Sequence, residues 1–339
     1  MKELSLRKNE LQEKKLTTIY FGGGTPSQLS ADELKFIFDG IDKHFGISGD
    51  AEITLESNPD DLSENYLKQL RSTPVNRLSI GIQSFRDGDL KLMNRAHNSK
   101  EAESVVLRAQ DRGFENLTVD LIYGIPGLDE NAWKKNLEKV NQLGVQHLSC
   151  YCLTVEPRTA LAKFVTEGKI SPVDDALASK HFHQLIAFAK ENDFDHYEIS
   201  NFAKKNFTAK HNSSYWFGES YLGIGPSAHS FDGAVRRWNI SNNMEYVNLI
   251  SANKKTYEEE VLTENEKFNE FLMTRLRTMW GVSIADMKNK FDEDFLTHFR
   301  QESGKWISSH DMQVIGDTFS LTEKGKLLAD RIASDLFLV

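Results

Sequence analysis

The chain has 339 residues, 39% of them hydrophobic, with 50 acidic against 41 basic side chains, a net charge of −9 and two cysteines. That length can bury the core of a large α/β domain with a smaller one beside it. The acidic balance argues against nucleic acid as a partner, and two cysteines exclude a disulfide scaffold or a four-thiolate metal site; no apolar run reaches membrane-spanning length, so the expectation is a cytoplasmic protein with no integral membrane segment.

Residues 3–15 are charged, with Leu4, Leu6 and Leu11 at roughly helical spacing. The apolar run 16–21 reads as a buried strand that stops at Gly22-Gly23-Gly24-Thr25-Pro26. Three glycines let backbone approach a ligand closely and expose successive amide hydrogens. The capping box Ser30-Ala31-Asp32-Glu33 then opens a helix, so the loop suits a carboxylate or phosphate; it equally suits a plain strand-to-helix turn. Further strands are expected at 52–58, 77–84, 117–124 and 147–154, separated by helices near 30–45, 63–71, 99–112 and 129–143. Such alternation predicts parallel βαβ units. Polar groups recur toward the strand ends: the glycine loop, Glu56 and Asn58, Gln83, Asp120. In a barrel those positions converge on one face, whereas a doubly wound sheet concentrates its ligand groups at one crevice. The predicted class is therefore α/β, an incomplete β/α barrel.

A long amphipathic helix is expected over 172–193, with Leu177, Phe182, Leu185, Ile186 and Phe188 inward, then one strand at 197–202. Residues 211–231 mix aromatics, glycines and two histidines, which predicts a long functional loop and a strand. From about 256 the chain reads as helical and ends in a strand leading into a Thr-capped helix, a winged-helix-like layout. The expected division is 1–235 for the barrel with its extension and 236–339 for the C-terminal domain.

Five motifs taken together carry a resemblance: Phe21-Gly-Gly-Gly-Thr-Pro26, Glu56-Ser-Asn-Pro59, Gly81-Ile-Gln-Ser-Phe85, Asn94-Arg-Ala-His97 and Val119-Asp-Leu-Ile-Tyr-Gly-Ile-Pro126. In order and spacing they resemble the oxygen-independent coproporphyrinogen III oxidase family of radical-SAM proteins over almost the whole chain. Tyr197-Glu-Ile-Ser-Asn-Phe-Ala203, His211-Asn-Ser-Ser-Tyr-Trp216 and Gly223-Ile-Gly-Pro-Ser-Ala-His229 resemble its HemW branch, regarded as haem chaperones. The resemblance implies that Gly22, Gly23, Gly24 and Thr25 hold the methionine end of S-adenosylmethionine, with Glu56, Gln83, Arg95 and Asp120 supplying the other polar contacts. Carboxylates suit ribose hydroxyls and an ammonium group, and arginine suits a carboxylate. Singly, each of these residues reads as well as a salt-bridge partner or a strand-end hydrogen bonder.

Family members also carry a Cys-x3-Cys-x2-Cys loop for a 4Fe-4S cluster before the glycine-loop strand. This sequence has no such run; it starts within what would be the helix after that loop, and Cys150 and Cys152 match no ligand position. They are expected to be small core residues, with no metal site and no catalytic residue assigned. No cluster and no radical chemistry are therefore expected of the chain as written. An in-frame cysteine cluster upstream of Met1 would restore the enzyme-like reading, and a degenerate haem-binding paralogue is the third. His211, Tyr215 and Trp216 are the candidate haem or porphyrin contacts, histidine as axial ligand and aromatics against a flat ring; the alternative is an aromatic packing corner. Haem and a haem-acceptor protein are the expected partners. The remaining histidines are assigned no role.

Overall fold

The computed structural model describes residues 1–11 and 15–339. The larger sheet is built from β1 (Lys15–Phe21), β2 (Gly46–Ser57), β3 (Arg77–Gln83), β4 (Asn116–Tyr123), β5 (His147–Cys152), β6 (Asp195–Glu198) and β7 (Asn201–Ala203), in the spatial order β1-β2-β3-β4-β5-β7-β6. The pairs β2/β3, β3/β4 and β4/β5 are parallel, as their helical crossovers require, and β7 closes on β5 antiparallel. This is the incomplete β/α barrel expected from the alternation. Strand interiors are apolar because both faces are covered: Leu78, Ile80, Ile82, Val119 and Leu121 are fully buried. Helix Ser99–Asp111 turns Ala102, Val105, Val106 and Ala109 inward from a complete capping box at Asn98, and helix Glu130–Gln142 buries Trp133, Leu137 and Val140.

The chain separates into two compact units. One comprises residues 18–36 and 52–209; the other comprises 1–17, 37–51 and 210–339. The boundary read from sequence at 235/236 falls within the strand Val235–Asn239. The second unit contains the three-stranded sheet of β8 (His229–Phe231), β9 (Val235–Asn239) and β10 (Tyr257–Val261), and another of β11 (Val282–Ser283), β12 (Met312–Ile315) and β13 (Thr318–Leu321). The second small sheet is interleaved with the helices Glu264–Leu276, Ile284–Lys290 and Glu293–Ser308, β11 lying between the first two and β12 and β13 after the third, and the buried rings Phe268, Phe271 and Phe299 lie on these helices. That is the winged-helix-like, mostly helical ending.

Four segments differ from the sequence reading. The first helix spans Lys2–Arg7 only, because Arg7 folds inward and the chain turns with Glu10 N–H donating to Arg7 O at 3.0 Å; part of the 3–15 expectation falls on residues 12–14, outside the described residues. The strand expected at 197–202 is the hairpin β6/β7, folded over at Ile199-Ser200, where Glu198 accepts from the Ser200 amide and the Asn201 side chain. The region from 256 begins with β10 before the Thr263-capped helix. Residues 210–217 are helix, not loop.

Candidate functional site

Gly23 and Gly24 have φ of +72° and +65°, two successive left-handed residues that only glycine adopts without strain. Gly22 is constrained differently: a Cβ there would lie 2.5 Å from the Tyr20 ring and 3.0 Å from a Glu56 carboxylate oxygen. Tyr20 donates its hydroxyl to Glu56 Oε1 at 2.6 Å, and the Gly23 amide donates to Oε2 at 3.1 Å. Glu56 thus clasps the loop from β2, and the Gly23 donor read as available for a ligand is already engaged. Thr25 caps the short 3-10 turn Pro26–Gln28 through its carbonyl, and the Ser30/Glu33 capping box forms as expected.

A second group lies at the end of β3. Gln83 has φ +67°, a strained backbone for a side chain of its kind. It and Arg95 both reach over Gly81, where an added Cβ would be 2.9 Å from Gln83 Nε2 and 3.4 Å from Arg95 Nη2. Arg95 Nη2 donates to Asn58 Oδ1 and to Gly81 O at 2.9 and 3.1 Å, so Arg95 bridges the ends of β2 and β3. The loop after β3 is fixed by buried Asp89, which accepts from Ser84 Oγ at 2.7 Å and from Arg86 at 2.8 Å.

Asp120 sits inside β4 rather than at its end, and accepts from Ser79 Oγ at 3.3 Å. Burial, with the Glu56 carboxylate adding to it, pushes its carboxyl up to about 7, against hydrogen bonds from Ser149 and Ser79 and the Arg77 charge. The Tyr20 hydroxyl is pushed far above its ordinary range, by burial first and then by Glu56, so it stays a donor. Glu56, Asp120 and the glycine loop therefore form one acidic, hydroxyl-lined group, with Gln83 and Arg95 beside it. Tyr20, Ser79 and Ser149 were missed in the sequence. Period-two alternation puts Tyr20 on the face of Gly22, and the serines are polar interruptions in apolar strands, signals that were there to be read.

In the other unit, helix Lys210–Phe217 brings His211 and Tyr215 together one turn apart: His211 Nε2 and Tyr215 Oη are 3.0 Å apart and the rings meet edge to face at 5.0 Å. Tyr221 packs against Tyr215 at 4.7 Å. Burial, with Tyr221, raises the Tyr215 hydroxyl to about 12. Trp216 is directed elsewhere, under the Arg277 guanidinium at 5.8 Å, with Nε1 buried and unpartnered among the described residues. His229 is exposed at the start of β8.

Cys150 is buried as expected, but Cys152 is exposed and is not a core residue, because β5 reaches its end there. Among the described residues no group of three or more His, Cys, Asp or Glu could hold a metal ion. Two such thiols do not fit a 4Fe-4S cluster. His181, by contrast, belongs to the core: it is fully buried, its Nδ1 accepting from the Gly124 amide at 3.2 Å.

Residues 4–140 match the radical SAM superfamily and residues 262–328 the HemN C-terminal domain. A "Heme chaperone HemW" of Lactococcus lactis is 33% identical over 326 residues, 96% of this chain and 86% of that protein. The chain belongs to the HemW branch of the radical SAM family. The HemW protein of Bacillus subtilis is also 33% identical, over 94% of this chain and 84% of its own. Among solved structures, the coproporphyrinogen III oxidase HemN of Escherichia coli superposes with a TM-score of 0.82 at 20% identity, covering 98% of this chain and 82% of that one, a likeness of fold. Radical SAM proteins use S-adenosylmethionine and a 4Fe-4S cluster as a family. No described helix is long and apolar enough to cross a membrane.

Proposed function

We propose that this chain is a haem chaperone of the HemW type, with haem held at the His211/Tyr215 face of helix Lys210–Phe217 and an adenosyl ligand at the glycine loop. The observation that carries it is the identity to proteins named heme chaperone over nearly the whole chain, joined to a histidine set beside a tyrosine pair. A flat apolar ring gains from burial against such aromatics, and an imidazole nitrogen supplies the axial bond. The bound haem would pass to a haem-acceptor protein.

At the barrel, Glu56 suits the ammonium of S-adenosylmethionine, Asp120 its ribose hydroxyls and Arg95 its carboxylate; the ligand's chemistry when bound to a cluster is the cleavage that yields a deoxyadenosyl radical. The residues of this sequence bind and orient; none is assigned a radical step. Haem is expected to bind more tightly than S-adenosylmethionine, whose polar contacts here are partly engaged already by Glu56 and Asn58.

Absorbance titration with haem tests the site. His211→Ala should weaken binding with circular dichroism unchanged. Tyr215→Phe should hold or strengthen it about 2- to 10-fold, since the competing 3.0 Å hydrogen bond on Nε2 is gone. Equal affinity in wild type and His211→Ala would remove His211 from the site and leave its helix a packing role.

A further inference from the structure

The strands β8, β9 and β10 form one antiparallel sheet whose two edges are not alike. At the β8 edge Tyr221 and Phe231 exchange backbone hydrogen bonds, so that side is occupied. At the other edge β10 has no neighbouring strand among the described residues. The ladder fixes which of its backbone groups are spare. Ile240 N–H donates to Thr256 O at 2.9 Å and Leu262 N–H to Ala234 O at 3.0 Å, so by the register between them Glu258 and Glu260 exchange hydrogen bonds with Trp238 and Arg236. The amides and carbonyls of Tyr257, Glu259 and Val261 therefore point outward, with no partner among the described residues.

The side chains define what can lie there. Residues 258–261 are exposed, Val261 by 72%. On one face Glu259 is taken by Lys255 at 2.9 Å and Arg237 at 3.4 Å, between Tyr257 and Val261. On the other, Glu258 and Glu260 stand two residues apart with no ion pair among the described residues; Trp238 lies opposite the first, and Arg236, opposite the second, is turned to Glu270. A second copy of this edge, paired antiparallel, would set glutamate against glutamate, which like charge disfavours. An incoming strand with Lys or Arg at every second residue meets Glu258 and Glu260 as cross-strand pairs, and its alternate apolar residues meet Tyr257 and Val261. We propose that the open edge of β10 is a docking site for an extended segment of a partner protein, basic on one face and apolar on the other, added to the sheet as a further strand.

Charged side chains on an edge also guard it against aggregation, and the two roles are compatible: the glutamates repel a like edge and select a basic one. The placement suits the function proposed above. A strand docked on β10 lies four strand spacings, roughly 19 Å, across the sheet from Tyr221, which packs on Tyr215 at 4.7 Å. A haem acceptor held there borders the same sheet as the His211/Tyr215 face. That use rests on the haem reading; the edge itself does not.

The test is a chemical-shift titration of the full chain with an end-blocked peptide of alternating Val and Lys, and hydrogen exchange read amide by amide. In the free protein the Tyr257, Glu259 and Val261 amides should exchange fast and those of Glu258 and Glu260 slowly. With peptide bound, the three fast amides should slow by at least about 10-fold. A Val-Glu peptide of the same length should bind about 10-fold more weakly or worse, and added salt should weaken the Val-Lys peptide. Glu258→Lys combined with Glu260→Lys should also cost it about 10-fold. Glu259→Pro removes an outward amide and no ladder bond, so circular dichroism should be unchanged while peptide binding is lost. Should that variant not fold, the two peptides read the edge without any substitution. An edge that only guards against aggregation binds neither peptide. That result, equal binding of the two, protection away from the odd-numbered positions, or undiminished binding to folded Glu259→Pro would overturn the proposal. His211→Ala should bind the Val-Lys peptide as wild type does while its haem binding weakens, which separates failure of the haem reading from failure of this one.

Discussion

Replacing Arg7 or Glu3 should loosen the segment that presents the aromatic face of the proposed haem site. Both side chains are almost fully buried, at 4% and 2% exposure. Arg7 donates to Glu3 at 3.1 Å, to the Gly223 carbonyl at 3.0 Å, to Ser230 Oγ at 2.9 Å and to Glu10, and lies over the Tyr257 ring. Glu3 in turn accepts from Asn239 Nδ2 at 2.7 Å, from the Gly225 amide at 2.8 Å and from Tyr246. Gly223 and Ser230 flank a hairpin in which Tyr221 and Phe231 exchange backbone hydrogen bonds, and Tyr221 packs on Tyr215. Removing one partner of a buried ion pair costs about 3–5 kcal/mol. Arg7→Met should sit near the low end, since Glu3 keeps three neutral donors. Glu3→Ala leaves those three donors unmet, each worth about 1–3 kcal/mol, while Arg7 keeps Glu10, Gly223 and Ser230, and it should cost about 5 kcal/mol. Urea denaturation followed by tryptophan fluorescence is the assay, because four of the five tryptophans, Trp216, Trp238, Trp280 and Trp306, belong to this unit. Amide exchange over 223–239 should quicken in parallel, and haem affinity should fall by less than in His211→Ala. A loss below about 0.5 kcal/mol in both variants, or Arg7→Met being the costlier, would refute the assignment of Glu3 as the hub.

Gly223→Ala should be far worse than Gly23→Ala, because the added Cβ meets the His229 carbonyl at 2.1 Å in one case and open space with only the φ of +72° to strain it in the other; thermal melts of the two should differ by more than about 1 kcal/mol in stability. Thiol labelling of the native protein should modify exposed Cys152 first, and faster as pH rises because partial desolvation and the Asp175 charge raise its thiol, while buried Cys150 reacts only on unfolding; equal rates would contradict the difference in exposure. Asp120, raised from 3.8 to about 7 on folding, keeps a proton the unfolded chain gives up, so its contribution to stability is greatest below the lower value and falls as pH rises to the upper one. Asp120→Asn should abolish that part of the slope, and identical pH profiles for variant and wild type would show that Asp120 does not titrate there.

The barrel was legible because its signals are local. Each strand run is apolar for a reason, two covered faces, and each ends at a turn residue, so β3 and β4 fall within about a residue of where the pattern put them. Helix Lys210–Phe217 was not, and the reason is physical: His211, Asn212, Ser213 and Ser214 are all indifferent helix formers, and Tyr215, Trp216 and Phe217 give no clean amphipathic period. What holds it is tertiary. Phe217 lies between Trp280, at 4.8 Å, and the Arg275 guanidinium, at 4.5 Å, contacts made to residues some sixty positions away that no local window contains.

The site divides along the same line. Glycine at 23 and 24 announces a left-handed backbone, and an acid at 56 in an apolar strand announces a pole. Those readings need only one residue and its neighbours. Which side chains become neighbours needs the register: Ser149 is opposite Asp120 across one pair of strands and Asn201 across another, and the second pairing exists only once β7 has folded back antiparallel onto β5. The Tyr197-to-Ala203 motif makes that return and carries Glu198 and Asn201 with it, so that Asn201 takes the Ser149 hydroxyl and gives its own amide hydrogen to Glu198.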